Sequence, residues 1–183
     1  QFLGSDVHGA TLGIIGMGRI GSAVARRGRG FSMKVLYANR SVAPNEAELG
    51  ATRVSREELL SQADHVVLVL PYSRETHHSI GAAQLALMKS TATLINIARG
   101  GIVDDVALAQ ALKDGTIAAA GLDVFEGEPT VHPALLELDN IVMTPHIGSA
   151  TRSSRLAMSL LAAKNLTEVF SNREPLSAVA APG

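Results

Sequence analysis

The chain has no cysteine and no tryptophan, only two tyrosines and four phenylalanines, and no charge of one sign in excess: the formal net charge is -1. Without cysteine there is no disulfide and no thiolate metal site. This composition suits a reducing compartment, so a cytoplasmic location is expected. Balanced charge removes the electrostatic case for a nucleic-acid or anionic-membrane partner, and so few aromatics leave no stacking platform for single strands. No apolar run is long enough to span a membrane and no signal peptide is evident. The 183 residues, 46% of them hydrophobic, suffice for one domain with a substantial core. The chain starts at Gln1 rather than Met, and strand-forming sequence begins almost at once. Residues 1–9 are therefore read as a linker from a longer protein.

Apolar, β-branched runs of strand length recur at Leu12–Ile15, Lys34–Ala38, Val66–Leu70, Thr93–Ile97, Ala118–Asp123 and Ile141–Thr144, with a short one at Thr52–Val54. Most are apolar on both faces, as central parallel strands are. Helical patterns at Arg19–Arg29, Ser55–Gln62, Ala82–Met88, Val103–Asp114 and Pro133–Leu138 alternate with them. Ser55 with Glu58 reads as a capping box, and Asp114-Gly115 as a helix stop. The alternation predicts an α/β, Rossmann-type, doubly wound parallel sheet of about seven strands over residues 10–150. A long helix is expected over 151–172, its leucines packing on the sheet and on a neighbouring domain or subunit, followed by a loose tail over 173–183.

The informative stretch is Gly16-Met17-Gly18-Arg19-Ile20-Gly21, between the first strand and the first helix. The first glycine permits the sharp turn, the second lets backbone approach a pyrophosphate, and the third lets helix pack on strand. Free N–H groups at the helix start, Arg19 and Ile20 among them, then face the phosphates. Gly28 and Gly30 weaken that helix's far end by about 1 kcal/mol each relative to Ala.

Ligands of parallel sheets bind beyond the strands' carboxyl ends. Those ends supply Asn39, Arg40 and Ser41; Pro71; Ala98, Arg99 and Gly100; Asp123, Glu126 and Glu128; then His146, Gly148 and Ser149. NAD-binding units usually place a carboxylate about 20 residues past the glycines, on the ribose 2′-OH. Here Asn39 and Arg40 occupy that place. Arg40 suits a 2′-phosphate, with Asn39 and Ser41 adding hydrogen bonds. NADP(H) is therefore preferred over NAD(H), which stays possible; otherwise Arg40 is a solvated charge.

Four motifs in order, Leu12–Gly21, Ile95–Asp104, Gly121–Pro129 and Thr144–Thr151, resemble the D-isomer-specific 2-hydroxyacid dehydrogenases, most of all their NADPH-preferring glyoxylate/hydroxypyruvate (and 2-ketogluconate) reductases. The resemblance covers nearly all of the chain. It implies hydride transfer to a small 2-keto acid, giving the D-2-hydroxy acid. Arg99 would bind the substrate carboxylate, His146 would donate the proton, and Glu128, just before Pro129, would hold His146. Ser149 would touch substrate. Pro71, Ile97 and Gly148 would line the cofactor, and Asp123 would lie near its nicotinamide end. The physics agrees: a permanently charged fork matches a carboxylate, and an imidazole donates and recovers protons near neutrality. In the family a separate substrate domain precedes this region, which makes an isolated chain a cofactor binder with little turnover. Members usually form homodimers. Each assignment has a plainer reading. Arg99 could cap the helix starting near Val103, Asp123 could be structural, and Glu126 could be solvated. His8, His65, His77, His78 and His132 read as surface or core histidines, and no metal site is expected. The competing reading of the whole is a dinucleotide-sensing binding module without turnover.

Overall fold

A computed structural model describes residues 4–179. It divides into two compact units, 1–145 and 146–183. Residues 1–3 and 180–183, the outer ends of the expected linker and tail, lie outside the described residues.

The first unit is a seven-stranded, all-parallel sheet. Its strands are β1 (Thr11–Ile15), β2 (Lys34–Ala38), β3 (Ala51–Arg53), β4 (His65–Leu68), β5 (Thr93–Asn96), β6 (Ala119–Leu122) and β7 (Ile141–Met143). They lie in the order β3-β2-β1-β4-β5-β6-β7. The order reverses between β1 and β4, so a crevice opens at the carboxyl ends of those two strands. Their registers set its walls: Gly16 N donates to Ala38 O at 3.1 Å, and Val69 N to Ile15 O at 3.0 Å.

Alternation along each strand sends side chains to two opposite cores. Leu12 and Ile14 of β1, with Val35 and Tyr37 of β2, join Ala25 of helix α1 (Arg19–Gly30) and Leu49. Leu36, Val66, Leu68 and Leu94 face the other way. They bury against Leu59 and Leu60 of α3 (Arg56–Gln62) and Leu108 and Leu112 of α5 (Asp105–Lys113). Both faces are thus covered, as a parallel sheet requires.

Local differences from expectation have identifiable causes. A four-residue helix, α2 (Glu46–Leu49), was not anticipated; Gly50 ends it in the left-handed conformation at φ 58°. Its first residue is held by the hydroxyl of the wholly buried Tyr37, which bonds Glu46 and accepts from Ala43 N at 3.0 Å. Burial, before the Glu46 contact, pushes that phenol's pKa up. Ser55 caps α3 by accepting from Glu58 N at 3.0 Å, while Glu58 turns its carboxylate to Gln62 at 3.0 Å. Gly28 does more than weaken α1: a Cβ there would come 2.7 Å from Leu12 Cδ2, so it sets how closely helix and strand approach. α4 (Ala82–Leu85) and α6 (Pro133–Leu136) are shorter than their patterns.

The second unit contains α7 (Arg152–Phe170), capped by Thr151, whose side chain accepts from Ser154 N at 3.1 Å. None of its residues is buried. At 100° per residue, Met158, Leu161, Leu166 and Val169 fall within one arc of about 140°, while Leu156 and Leu160 point elsewhere. No helix among the described residues is long and apolar enough to cross a membrane.

Asp64, just before β4, fastens the amino edge of the sheet. Its carboxylate accepts from Thr11 N at 2.8 Å and from Lys89 Nζ at 2.7 Å. The Lys89 bond first, and the Thr11 N–H second, hold its pKa below the ordinary 3.8. The stability Asp64 contributes is therefore complete above about pH 3.8 and is lost as pH falls through its lower folded value. The pair is more than a third exposed and solvent screens it. Urea titrations at a series of acidic pH values should show a smaller loss of stability below pH 3.8 in Asp64→Asn than in the parent protein.

Candidate active site

The glycine turn is built as its spacing requires. Gly16 sits at φ 105°, and a Cβ on it would meet the backbone of Val69 and Leu70 at 2.9 Å. A Cβ on Gly21 would lie 2.2 Å from the Gly16 carbonyl oxygen, so only glycine lets α1 begin this close to the end of β1. Around Gly18, by contrast, nothing lies within 4 Å of a would-be Cβ. The residue with open space is the one that would let a phosphate reach the backbone. As N-cap, Gly18 offers no side chain to the first-turn amides, and that turn carries no acidic residue. The N–H groups of Arg19 and Ile20 thus keep their affinity for an anion.

Beside this turn lies a cleft of about 670 Å³ lined by Ile20, Leu70, Pro71, Tyr72, Ile97 and Arg99, among others. It brings together four expected site residues from three separate segments: Ile20, Pro71, Ile97 and Arg99. Ile20 and Ile97 are 61% and 40% exposed, an unusual state for isoleucine that a flat apolar ligand would relieve. Tyr72 was not anticipated. It lies in a loop without strand or helix periodicity and its only signal is position, directly after Pro71.

The loop carrying Arg99 is held by two side chains and the close approach of a glycine. Asn96, 1% exposed, receives Ala98 N on its carbonyl oxygen at 3.1 Å and donates its amide to Arg99 O at 3.0 Å. Asn96 was also missed; an amide inside the apolar run Leu94–Ile97 was the available sign. Gly100 presses on the next loop, where a Cβ would fall 1.7 Å from Phe125 O. The guanidinium donates to Ala98 O at 2.6 Å. Arg99 does not cap α5: Asp104 does, accepting from Val106 N and Ala107 N at 3.0 and 3.1 Å.

Glu128 is anchored through Oε1, which accepts from Phe125 N at 3.0 Å. Asp123 is buried beyond β6 and accepts from Thr144 Oγ1 at 2.6 Å, which joins the ends of β6 and β7. Glu126, expected to be solvated, is exposed yet paired: its carboxylate lies 2.7 Å from His78 Nε2. His78 holds φ 48°, and its N donates to Gly101 O at 2.7 Å, so this pair ties the 72–80 loop to the loops after β5 and β6. The Glu126 N–H reaches Asp105 Oδ2 at 3.2 Å; burial pushes that carboxyl's pKa up, and this bond opposes the shift. His77, His78 and Glu126 could each offer a ligand atom within 4.8 Å. The two imidazoles are stacked, however, with centroids 3.9 Å apart and planes inclined by 22°.

The remaining expected residues divide by location. Asn39, Arg40 and Ser41 follow β2 as an exposed loop in which Asn39 Nδ2 donates to Ser41 O at 3.2 Å. His146, Gly148 and Ser149 lie in the second unit, and His146 takes the left-handed conformation at φ 53°, a strained state for a side-chain-bearing residue. Its next two neighbours lead to a turn in which Ala150 N donates to Ile147 O at 2.9 Å.

A family model described as "D-isomer specific 2-hydroxyacid dehydrogenase, NAD binding domain" matches residues 1–148. The chain belongs to this family. A glyoxylate reductase of Thermococcus onnurineus is 55% identical over 175 residues, 95% of this chain and 52% of the relative. A glyoxylate/hydroxypyruvate reductase B of Yersinia pestis is 53% identical over 171 residues, 91% of this chain and 52% of the relative. Among solved structures, a glyoxylate reductase from Paecilomyes thermophila matches with a TM-score of 0.92 at 45% identity, covering 97% of this chain and 54% of that one. The chain thus spans about half the length of the curated relatives it matches. At the glycine turn, Gly18 leaves open space over helix amides that no side chain caps.

Two substitutions separate the turn's two duties. Gly18→Ala, at an ordinary φ of -87° with nothing to strike, should leave the melting temperature unchanged and weaken dinucleotide binding at least about tenfold. Gly21→Ala should lower stability by roughly 1–3 kcal/mol through overpacking. Differential scanning calorimetry and a fluorescence titration distinguish the two.

Proposed function

We propose that this chain is the coenzyme domain of an NADPH-dependent reductase of small 2-keto acids, glyoxylate or hydroxypyruvate among them. The observation that carries the reading is the cleft beside the glycine turn, lined by the apolar Ile20, Leu70, Pro71 and Ile97 and by one charged residue, Arg99. Relatives named glyoxylate reductase support the substrate class.

When bound, the nicotinamide supplies a hydride to the substrate's carbonyl carbon. Everything else falls to the chain. Gly18, Arg19, Ile20 and Gly21 would hold the pyrophosphate, and Asn39, Arg40 and Ser41 the ribose 2′-phosphate. Arg40 is exposed, and none of the described residues makes a hydrogen bond or ion pair with its guanidinium. Pro71, Ile97, Asp123 and Gly148 would border the cofactor. Arg99 would bind the substrate carboxylate through its fork and draw electron density from the adjoining carbonyl. His146 would give its proton to the carbonyl oxygen as negative charge develops there, and Glu128 would steady the imidazolium by its own charge. Ser149 would sit beside the substrate. The parent protein is proposed to work as a cytoplasmic homodimer, with a second domain completing the substrate cleft.

Kinetics of the whole protein test this reading. The Michaelis constant should be clearly lower for NADPH than for NADH, and a clear preference for NADH would contradict the cofactor assignment. Arg99→Gln should lower kcat/KM for glyoxylate by roughly 10²–10³-fold. Glu128→Gln should lower kcat for glyoxylate reduction, and unchanged kinetics would remove Glu128 from its role.

A further inference from the structure

The loop assigned to the 2′-phosphate is not free-standing. Arg53 ends β3, and the parallel register sets it beside Tyr37, two residues before Asn39. From there its guanidinium reaches forward along the sheet edge. Nε donates to Asn39 O at 3.1 Å, and one terminal nitrogen donates to Arg40 O at 2.9 Å. Two successive carbonyls are thus clasped by one planar fork. Asn39 is also tied within the loop, its amide donating to Ser41 O. Lysine could not do this, since a single ammonium on a flexible stem lacks two donors at fixed spacing.

We propose that Arg53 is a specificity-determining positioning residue for the 2′-phosphate: it fixes the backbone from which Asn39, Arg40 and Ser41 present their donors. The proposal rests on the NADPH reading above. The fork does two things for an incoming dianion. It sets a cation's two donors on the carbonyls of residues 39 and 40, which offsets their partial negative charge within the loop. It also holds the loop in its binding shape before the ligand arrives, which reduces the ordering entropy lost on binding. A cofactor without the 2′-phosphate makes less use of this loop, so Arg53 acts on the ratio of the two affinities rather than on dinucleotide binding as such. The position carries no glycine signature and lies 35 residues beyond the turn's Gly18, so motif reading passes it by.

The test is a pair of titrations, NADPH and NADH, on the whole protein and on Arg53→Met, Arg53→Lys and Arg40→Ala, with circular dichroism to verify folding. Arg53→Met should weaken NADPH about tenfold and NADH less than twofold. Arg53→Lys should recover less than half of that loss in binding free energy; should Arg53→Met not fold, Arg53→Lys carries the test, with a loss of at least about threefold confined to NADPH. Arg40→Ala should lower the NADPH preference as well. A fall in that preference in Arg40→Ala alone overturns the role of Arg53. A fall in the Arg53 variants alone moves the phosphate contact itself to Arg53 and overturns the positioning role. No fall in any variant overturns the 2′-phosphate reading on which the proposal stands.

Discussion

The structure depends on a backbone contact: α1 begins so close to β1 that the Gly16 carbonyl oxygen occupies the space a Gly21 side chain would need. That approach aims the helix's free amides and positive dipole end across the carboxyl rim of the sheet. The sheet order places β1 and β4 side by side at the reversal, so the same rim opens as a crevice. Every other expected site residue in the first unit is carried to this rim by the end of a strand. Parallel pairing is what makes the gathering possible, because all seven strands end on the same side.

The loops of the rim are held, within themselves and to their neighbours, by polar groups spent on structure. Asn96 closes the turn that bears Arg99. Phe125 N holds Glu128, and His78 binds Glu126 across the neighbouring loop. Arg53 clasps the loop after β2. Four short polar connections thus set the side chains that the proposed chemistry uses. A site held by loops alone would require its own ordering with each turnover.

How legible this was depended on period and locality. The strands were legible because Val35, Leu36, Val66, Leu94 and their neighbours bury on both faces and leave continuous apolar runs. The glycine turn was legible because each glycine answers a different steric need. Helix α2 was not, since a four-residue helix offers no periodicity and hangs on the Tyr37–Glu46 contact, nine residues apart in sequence. Asn96 and Arg53 escaped for a related reason: each acts on backbone carbonyls or amides, and side-chain chemistry read along a chain does not disclose which backbone it will meet.

The central claim is that the open amides at Gly18–Gly21 are where a dinucleotide's phosphates bind, and backbone NMR tests it most directly. On titration with NADPH, the amide resonances of Gly18, Arg19, Ile20 and Gly21 should show the largest chemical-shift changes in the protein. Saturating changes elsewhere, with these four amides unmoved, would contradict the account.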